Sequence, residues 1–330
     1  MAETVTIVGA GIAGTWQALM FAKAGLAVTV LDRGDASLTA ATSYWAGGML
    51  APDCEAESAE PVVGRLGRRS LALWRAEVPD TSVRGSLVVA HARDRPDYDR
   101  FARLTSGYTR VPEDGIAELE PALAGRFREG LFFPNEAHVE PRRVLSELHR
   151  RLEAAGVDIR FETAADPAVV PGTVIDCRGI SARDVFPELR GVRGETVLVE
   201  TGEVELSRPV RLIHPRWPLY IVPRSENRFL IGATTLESED AGPVTVRSAL
   251  ELLSAAYSVH PAFGEARILE LGAGLRPALP DHAPRIRACG NRIAVNGLYR
   301  HGFLLAPALA EIAVDYVLNG ARDNEVMEWS

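Results

Sequence analysis

The first thirty-three residues constrain this chain more than any other stretch. They read Glu3-Thr-Val-Thr-Ile-Val-Gly-Ala-Gly-Ile-Ala-Gly14, then a helical run, then Ala27-Val-Thr-Val-Leu-Asp-Arg33. Val5, Ile7 and Val8 predict a strand that runs into Gly9, Gly11 and Gly14, spaced as G-x-G-x-x-G. Ile12, Trp16, Leu19, Met20 and Lys23 recur at helical spacing, and Gly25 stops the helix. A second apolar strand ends in Asp32. In such a βαβ unit the glycines divide the work: a tight turn, bare backbone for a pyrophosphate, and close packing of helix on strand. The helix N-terminus offers unpaired N–H groups and a positive dipole end to the diphosphate. Asp32, 18 residues beyond Gly14, is placed to accept hydrogen bonds from a ribose. The register predicts an adenine dinucleotide and leaves open which one.

The rest of the chain has to decide that, and composition narrows the field. At 330 residues there is material for one large or two interleaved domains. A net charge of −8 argues against a nucleic-acid partner, which needs a basic face. Lys23 is the only lysine among 36 basic residues, so a single arginine is a weak signal without its context. The cysteines Cys54, Cys177 and Cys289 are odd in number and far apart, as in a reduced cytoplasmic protein. No leader is read at the N-terminus. The apolar run from Phe303 to Leu318 carries Glu311 and Asp315, so no membrane span is expected. Seven scattered histidines have no metal-ligand spacing; His138-Val-Glu140 reads as a cap or surface pair, and no metal is expected. No Ser/His/Asp or Cys/His arrangement supports nucleophilic catalysis.

After Asp32 the chain departs from a simple nicotinamide-type unit. Residues 34–52 are rich in small and hydroxyl residues, with Thr42 and Ser43 as phosphate donors. Tyr44, Trp45, Met49 and Leu50 are costly to leave in solvent, which predicts a buried, ligand-lining loop. Helices are expected over 57–77, 96–104, 117–123 and from Pro141 to Gly156. Strands are expected over 86–90, 131–134, 157–161 and 173–176. From Arg193 strands repeat at 194–200, 209–213, 219–223 and 228–232. A helix with the stripe Val246, Leu250, Leu253 and Tyr257 and a strand over 266–272 come next. A strand over 292–296, a turn and a helix stopping at Asn319-Gly320 close the chain. The expected class is α/β. A Rossmann-like nucleotide domain (1–80, 135–190, 280–330) interleaves with an α+β domain on an antiparallel sheet (81–134, 191–279).

Three residues outside the nucleotide unit are candidates for chemistry. Tyr220 lies on a strand, Arg276 where a strand breaks into a Gly- and Pro-bounded loop, and Arg300 in the last strand-to-helix turn. A two-pronged, always-charged guanidinium beside a phenol suits a carboxylate, provided these strands meet over the cofactor.

Taken together, several stretches resemble one family. They are the nucleotide unit, Ala46-Gly-Gly-Met-Leu-Ala-Pro52, Ala137-His-Val-Glu-Pro141, Tyr220-Ile-Val-Pro-Arg224, Gly232-Ala-Thr-Thr235, Gly274-Leu-Arg-Pro277 and Arg300-His-Gly-Phe-Leu-Leu-Ala-Pro307. In this order, over nearly the whole chain, they resemble the FAD-dependent D-amino-acid oxidase superfamily, and within it the glycine oxidases of thiazole (thiamine) biosynthesis. The resemblance implies FAD as cofactor and a small amino acid as substrate, with dioxygen as acceptor. It implies that Arg276 clamps the substrate carboxylate, that Tyr220 donates to it, and that Arg300 lies near the amine. It implies an FAD site of Gly9, Gly11, Ile12, Ala13, Gly14, Asp32, Arg33, Thr42, Ser43, Gly47, Gly48, Met49, Ala165 and Gly179. The final turn adds Leu298, Tyr299, His301, Gly302, Phe303 and Leu304. Two positions depart from the pattern: Thr235 stands where a methionine is common, and Asp32 where glutamate is. A homo-oligomer is compatible with the family. The competing expectations are a D-amino-acid or sarcosine dehydrogenase using another acceptor, an NAD-dependent dehydrogenase, and a protein that keeps FAD without turnover.

Overall fold

The computed structural model describes residues 4–216 and 218–329; Glu3, where the opening motif begins, lies outside the described residues. The opening unit is β1 (Thr4–Val8), α1 (Ile12–Lys23) and β2 (Ala27–Leu31), with β1 and β2 parallel. Next come β3 (Met49–Leu50), the short α2 (Pro52–Glu55), α3 (Pro61–Glu77), β4 (Ser86–Ala90) and α4 (Arg95–Leu104). They are followed by β5 (Thr109–Pro112), α5 (Glu113–Leu119), β6 (Glu129–Phe133), β7 (Ala137–His138), α6 (Pro141–Ala154), β8 (Asp158–Arg160) and β9 (Thr173–Asp176). The second half holds β10 (Arg190–Glu200), β11 (Val210–Ile213), β12 (Leu219–Pro223), β13 (Arg228–Gly232), α7 (Val246–Val259) and β14 (Arg267–Ala278). It closes with β15 (Arg285–Cys289), β16 (Arg292–Asn296), α8 (Gly302–Asn319) and β17 (Met327–Trp329).

The strands assemble into two large sheets. One has seven strands in the order β17-β15-β16-β9-β1-β2-β8, so that early, middle and late parts of the chain lie side by side. The other has eight, in the order β14-β10-β13-β12-β11-β4-β6-β5, largely antiparallel. Thus α/β and interleaved is what the chain forms. Several elements differ from expectation. β5, β15 and β17 were not expected. The helix expected over 117–123 begins at Glu113, and β14 runs six residues beyond 272. Of the stripe Val246, Leu250, Leu253 and Tyr257, only the half-buried Leu253 reaches the core face of the second sheet, and the other three are exposed. That face of α7 is Ser248, Leu252, Ala255, Ala256 and Val259.

The first sheet carries the larger core. α1 is enclosed rather than amphipathic: Ile12, Trp16, Leu19 and Phe21 are buried together with Thr15, Gln17 and Ala18. It is covered by α8 and α6. α8 is long and apolar enough to cross a bilayer, but it runs through the protein interior, with eleven of its residues buried. Pro307 lies inside it, and proline has no N–H to give the carbonyl four residues back. That carbonyl belongs to Phe303, and Trp74 of α3 supplies the missing donor, Nε1 to O at 2.8 Å. The Trp74 ring meets Trp16 edge-on at 4.8 Å, tying α3, α1 and α8 into one layer. Trp74→Phe keeps most of the apolar volume and leaves the Phe303 carbonyl without a donor. It should cost about 1–3 kcal/mol, read as a lower urea midpoint at unchanged slope.

Candidate active site

The two sheets face a cavity of about 660 Å³, within the usual range for a cofactor site. At one end stands the opening unit. Gly9 has φ +109°, and a Cβ there would lie 2.5 Å from the Cys177 carbonyl oxygen. A Cβ on Gly14 would lie 1.8 Å from the Gly9 oxygen, so this glycine serves helix–strand packing and is not part of the cavity wall. Gly11, Ile12 and Ala13 do line the cavity, as do Asp32, Arg33, Ala165 and Gly179. Asp32 accepts from the N–H of Ala10 (2.6 Å) and of Gly34 (2.7 Å). A carboxylate has about four acceptor sites, so capacity remains for ribose hydroxyls.

The 34–52 loop lies on the cavity but is half-buried rather than buried: of the four large side chains expected inside, Leu50 is buried and Tyr44, Trp45 and Met49 are partly exposed. Thr42, Ser43, Gly47, Gly48 and Met49 all border the cavity. Ser43 Oγ accepts from the Ile12 N–H (3.1 Å) at the mouth of α1, which leaves its own hydrogen for a phosphate. Thr42 is different from expectation: its hydroxyl donates to the Leu275 carbonyl (2.7 Å) and ties the loop to β14. Arg224 donates to the Gly47 carbonyl (2.7 Å), and burial pulls its pKa down to about 10. Arg142 lies 3.9 Å over the Tyr44 ring while gripping Glu270.

The second sheet presents a row of residues to the same cavity. Tyr220 on β12 is the register partner of Arg211 on β11 and of Gly232 on β13. Gly232 is opposite Thr196, and Thr196 opposite Gly272. Directly opposed residues share a face, so this row is set by alternation alone. Glycines along it make room. A Cβ on Gly232 would lie 2.9 Å from the Tyr220 ring, and one on Gly47 3.0 Å, so the phenol is clamped between two bare backbones. A Cβ on Gly194 would lie 2.2 Å from the Arg276 guanidinium, and one on Gly272 would strike the Trp45 ring. Arg276 is not in a loop, as its neighbours Gly274 and Pro277 predict. It sits within β14, opposite Val192. Its Nη1 donates to the Thr234 carbonyl (3.0 Å) and reaches Thr235 Oγ1 at 3.5 Å. Among the described residues no carboxylate pairs with it. Burial pulls the Arg276 pKa down and pushes the Tyr220 hydroxyl up, so the phenol is a donor at neutral pH.

Glu55 and Arg211 also line the cavity, and neither stands out in the sequence. Glu55 closes α2. Its carboxylate pairs with Arg211 (2.5 Å) and with Arg300 (2.8 Å). Burial pushes its pKa up, but Arg300 and Arg211 more than reverse this and hold it well below the usual carboxylate range. Arg300 therefore reaches the site through Glu55 and through Ser58 Oγ (2.8 Å). The one clue to Arg211 is a charge in the otherwise apolar strand Val210-Arg211-Leu212-Ile213. Leu298, Tyr299, His301, Gly302, Phe303 and Leu304 complete the wall. His301 is held neutral, its pKa pulled down to about 4 chiefly by burial, which outweighs the nearby Glu55. The first turn of α8 brings N–H groups without intrahelical partners to the cavity.

A fold with a dinucleotide unit at one end of such a cavity and a cation–phenol pair at the other defines a flavin-dependent oxidoreductase. The chain belongs to the FAD dependent oxidoreductase (DAO) family, whose model matches residues 4–316. It is 52% identical to a thiamine biosynthesis oxidoreductase, ThiO, of Rhizobium etli, over 93% of this chain and 94% of that one. It is 27% identical to a glycine oxidase of Bacillus licheniformis, over 98% and 95%. The crystal structure of glycine oxidase from Geobacillus kaustophilus shares the fold, with a TM-score of 0.81 over 98% of this chain and 96% of that one at 22% identity. The cofactor is FAD. The glycine turn, the Ser43 hydroxyl and the α8 N-terminus on one cavity fit its phosphates and ring.

Glu55→Gln strands Arg211 and Arg300 without their counter-charge, and breaking a buried pair costs about 3–5 kcal/mol. Because the folded-state pKa of Glu55 is depressed, its contribution is present above the ordinary 4.5 and is lost as pH falls below it. Urea unfolding should find the variant weaker at pH 7 and its acid limb flatter than that of the wild type.

Proposed function

We propose that this protein oxidises glycine or another small amino acid. Glycine, water and dioxygen give glyoxylate, ammonia and hydrogen peroxide, and the intermediate imine serves thiamine thiazole formation. One observation carries the reading: Arg276 is a half-buried guanidinium that no carboxylate among the described residues pairs with, beside a phenol, on the wall of the FAD cavity. A bound amino acid supplies the missing carboxylate, gripped by Arg276 and by the Tyr220 O–H. The name of the Bacillus licheniformis relative supports glycine as the amino acid, and that of the Rhizobium etli relative supports thiamine biosynthesis as the setting. We assign segments 1–80, 135–190 and 280–330 to the cofactor domain, and 81–134 and 191–279 to the substrate domain. With its described cysteines unpaired, the protein fits a reducing cytoplasm.

The residues then act mainly by orientation. A bound FAD would supply the hydride-accepting chemistry at Cα. Arg276 and Tyr220 fix the carboxylate, which leaves Cα little freedom. Three guanidiniums against one carboxylate give this wall a surplus of positive charge. That surplus favours the substrate with its amine neutral, the form that can leave as an imine. The α8 N-terminus adds positive potential on the cofactor side. Thr235 Oγ1, 3.5 Å from Arg276 Nη1, puts a hydroxyl on the same cavity wall.

A visible spectrum before and after anaerobic glycine tests the reading. Bleaching of the flavin band is expected; a flavin that stays oxidised with glycine, sarcosine and D-alanine alike overturns it. Peroxide release in air separates an oxidase from a dehydrogenase that reduces only a dye. Arg276→Ala should raise KM for glycine about ten- to hundredfold, the loss of a charge-assisted clamp, with flavin retained. Equal loss of flavin in that variant makes the arginine structural.

A further inference from the structure

Arg276 is held by a carbonyl that an ordinary strand ladder would keep for itself. Its guanidinium reaches from β14 across β10 at Gly194, where a Cβ would lie 2.2 Å from it. On the other side of β10 it donates to the Thr234 carbonyl (3.0 Å). There the chain beyond β13 runs on beside β10. Leu236 and Arg193 exchange both N–H···O bonds, at 2.9 Å each, as a hydrogen-bonded antiparallel pair does. Thr234 and Glu195 depart from that pattern. The Thr234 N–H donates to the Glu195 carbonyl (3.2 Å), but the Glu195 N–H donates to the Thr234 hydroxyl (2.9 Å) instead of the Thr234 carbonyl. The hydroxyl takes its own carbonyl's place in the ladder, and the carbonyl is free for Arg276.

We propose that Thr234 is a positioning residue for the carboxylate clamp, with Glu195 and Arg193 setting its hydroxyl. The inference rests on the reading of Arg276 as that clamp. Gly194, Ala233, Thr235 and Arg276 line the cavity, while Thr234, Glu195 and Arg193 act from behind it. The Thr234 hydroxyl donates to Glu195 Oε2 (3.2 Å), which leaves its lone pairs for the Glu195 N–H. Glu195 and Arg193 are buried together on the face of β10 opposite Gly194, as strand alternation requires. Arg193 grips Glu195 Oε1 through Nε (3.0 Å) and Nη2 (2.8 Å), and the N–H of Thr245, the cap of α7, donates to the same oxygen (3.3 Å). Arg193 also donates to the carbonyls of Asp240 (2.5 Å) and Pro243 (2.7 Å), which ties down the segment that follows Thr235. A guanidinium carries its N–H donors in one rigid plane, so a fixed bond at Nη1 restricts the direction of the others. Without the hydroxyl, the Glu195 N–H has only the ordinary ladder acceptor, the Thr234 carbonyl, and a carbonyl turned back to the ladder is lost to Arg276.

The test uses the holoenzyme and acetate, the carboxylate of glycine without its amine, whose binding is read from the flavin spectrum apart from turnover. Thr234→Val should weaken acetate about tenfold and raise KM for glycine by a similar factor, the scale of one hydrogen bond to a charged group. Its kcat and flavin content should change little. Thr234→Ser, which keeps the hydroxyl, should recover most of the loss. In an Arg276→Ala background Thr234→Val should lower kcat/KM for glycine no further, since residues that act through one another are not additive. The proposal is overturned by a Thr234→Val that binds acetate as the wild type does, or by a Thr234→Ser as weak as Thr234→Val. It is equally overturned by a Thr234→Val loss that persists in full without Arg276. If wild type and Arg276→Ala bind acetate equally, the clamp reading fails and takes this inference with it. A loss in Arg276→Ala with none in Thr234→Val sinks the inference alone. Should Thr234→Val shed its flavin, a crystal structure of the wild type with acetate decides. Acetate on Arg276 with the Glu195 N–H on the Thr234 hydroxyl supports the assignment, and that N–H on the Thr234 carbonyl refutes it.

Discussion

A guanidinium withdrawn from water is costly unless something anionic answers it, and the half-buried Arg211 and Arg276 line one cavity with the more exposed Arg300. Arg211 and Arg300 share Glu55, which two elements far apart in sequence bring within 2.8 Å. Arg276 has no such partner among the described residues. The asymmetry orders the site. The paired arginines build a wall, and the unpaired one is left for a ligand that brings its own carboxylate. The glycines at 194, 232 and 272 belong to the same arrangement, because side chains there would occupy the space in which Arg276, Tyr220 and Trp45 lie.

The nucleotide end was readable because its constraints are local. A positive φ at Gly9 and a carbonyl 1.8 Å from any Cβ on Gly14 demand glycine at fixed offsets, and that demand is written in one line of sequence. The far end was readable only through resemblance. Gly272, Gly274 and Pro277 look like strand breakers, but β10 pairs with that stretch through to Ala278 and keeps it extended. Glu55 and Arg211 are 156 residues apart, and neither has a local signature of its role. The α7 stripe shows another limit. Periodicity finds a helix and its apolar side, but two apolar sides compete here, and the small residues Ser248, Ala255 and Ala256 win the close contact with the sheet. β15 has Ile286 as its one β-branched residue in Arg285–Cys289, and the carboxylate that answers its arginines, Glu328, is on β17, beyond α8.

α8 links the two kinds of information. Its first turn faces the cofactor cavity, and its body passes through the core against α1 and α3. Pro307 would open a gap in its ladder at the residue that lines the cavity, and the Trp74 indole closes that gap from another helix. The position of the cavity wall is therefore fixed by packing as well as by helix geometry.

The order of strands in the seven-stranded sheet has a consequence for how the molecule is made. β1 is flanked by β2 and β9, and β9 by β16, so the central strands arrive near residues 8, 176 and 296. α8, which covers α1 and ends the cofactor cavity, follows only at 302–319. A chain growing from its N-terminus thus has α6 to cover one side of α1 from residue 141 onward, while the α8 side waits for residues 302–319. The cofactor cavity therefore gains its last wall only with α8, and a chain cut short before residue 302 lacks both that wall and the cover on this side of α1.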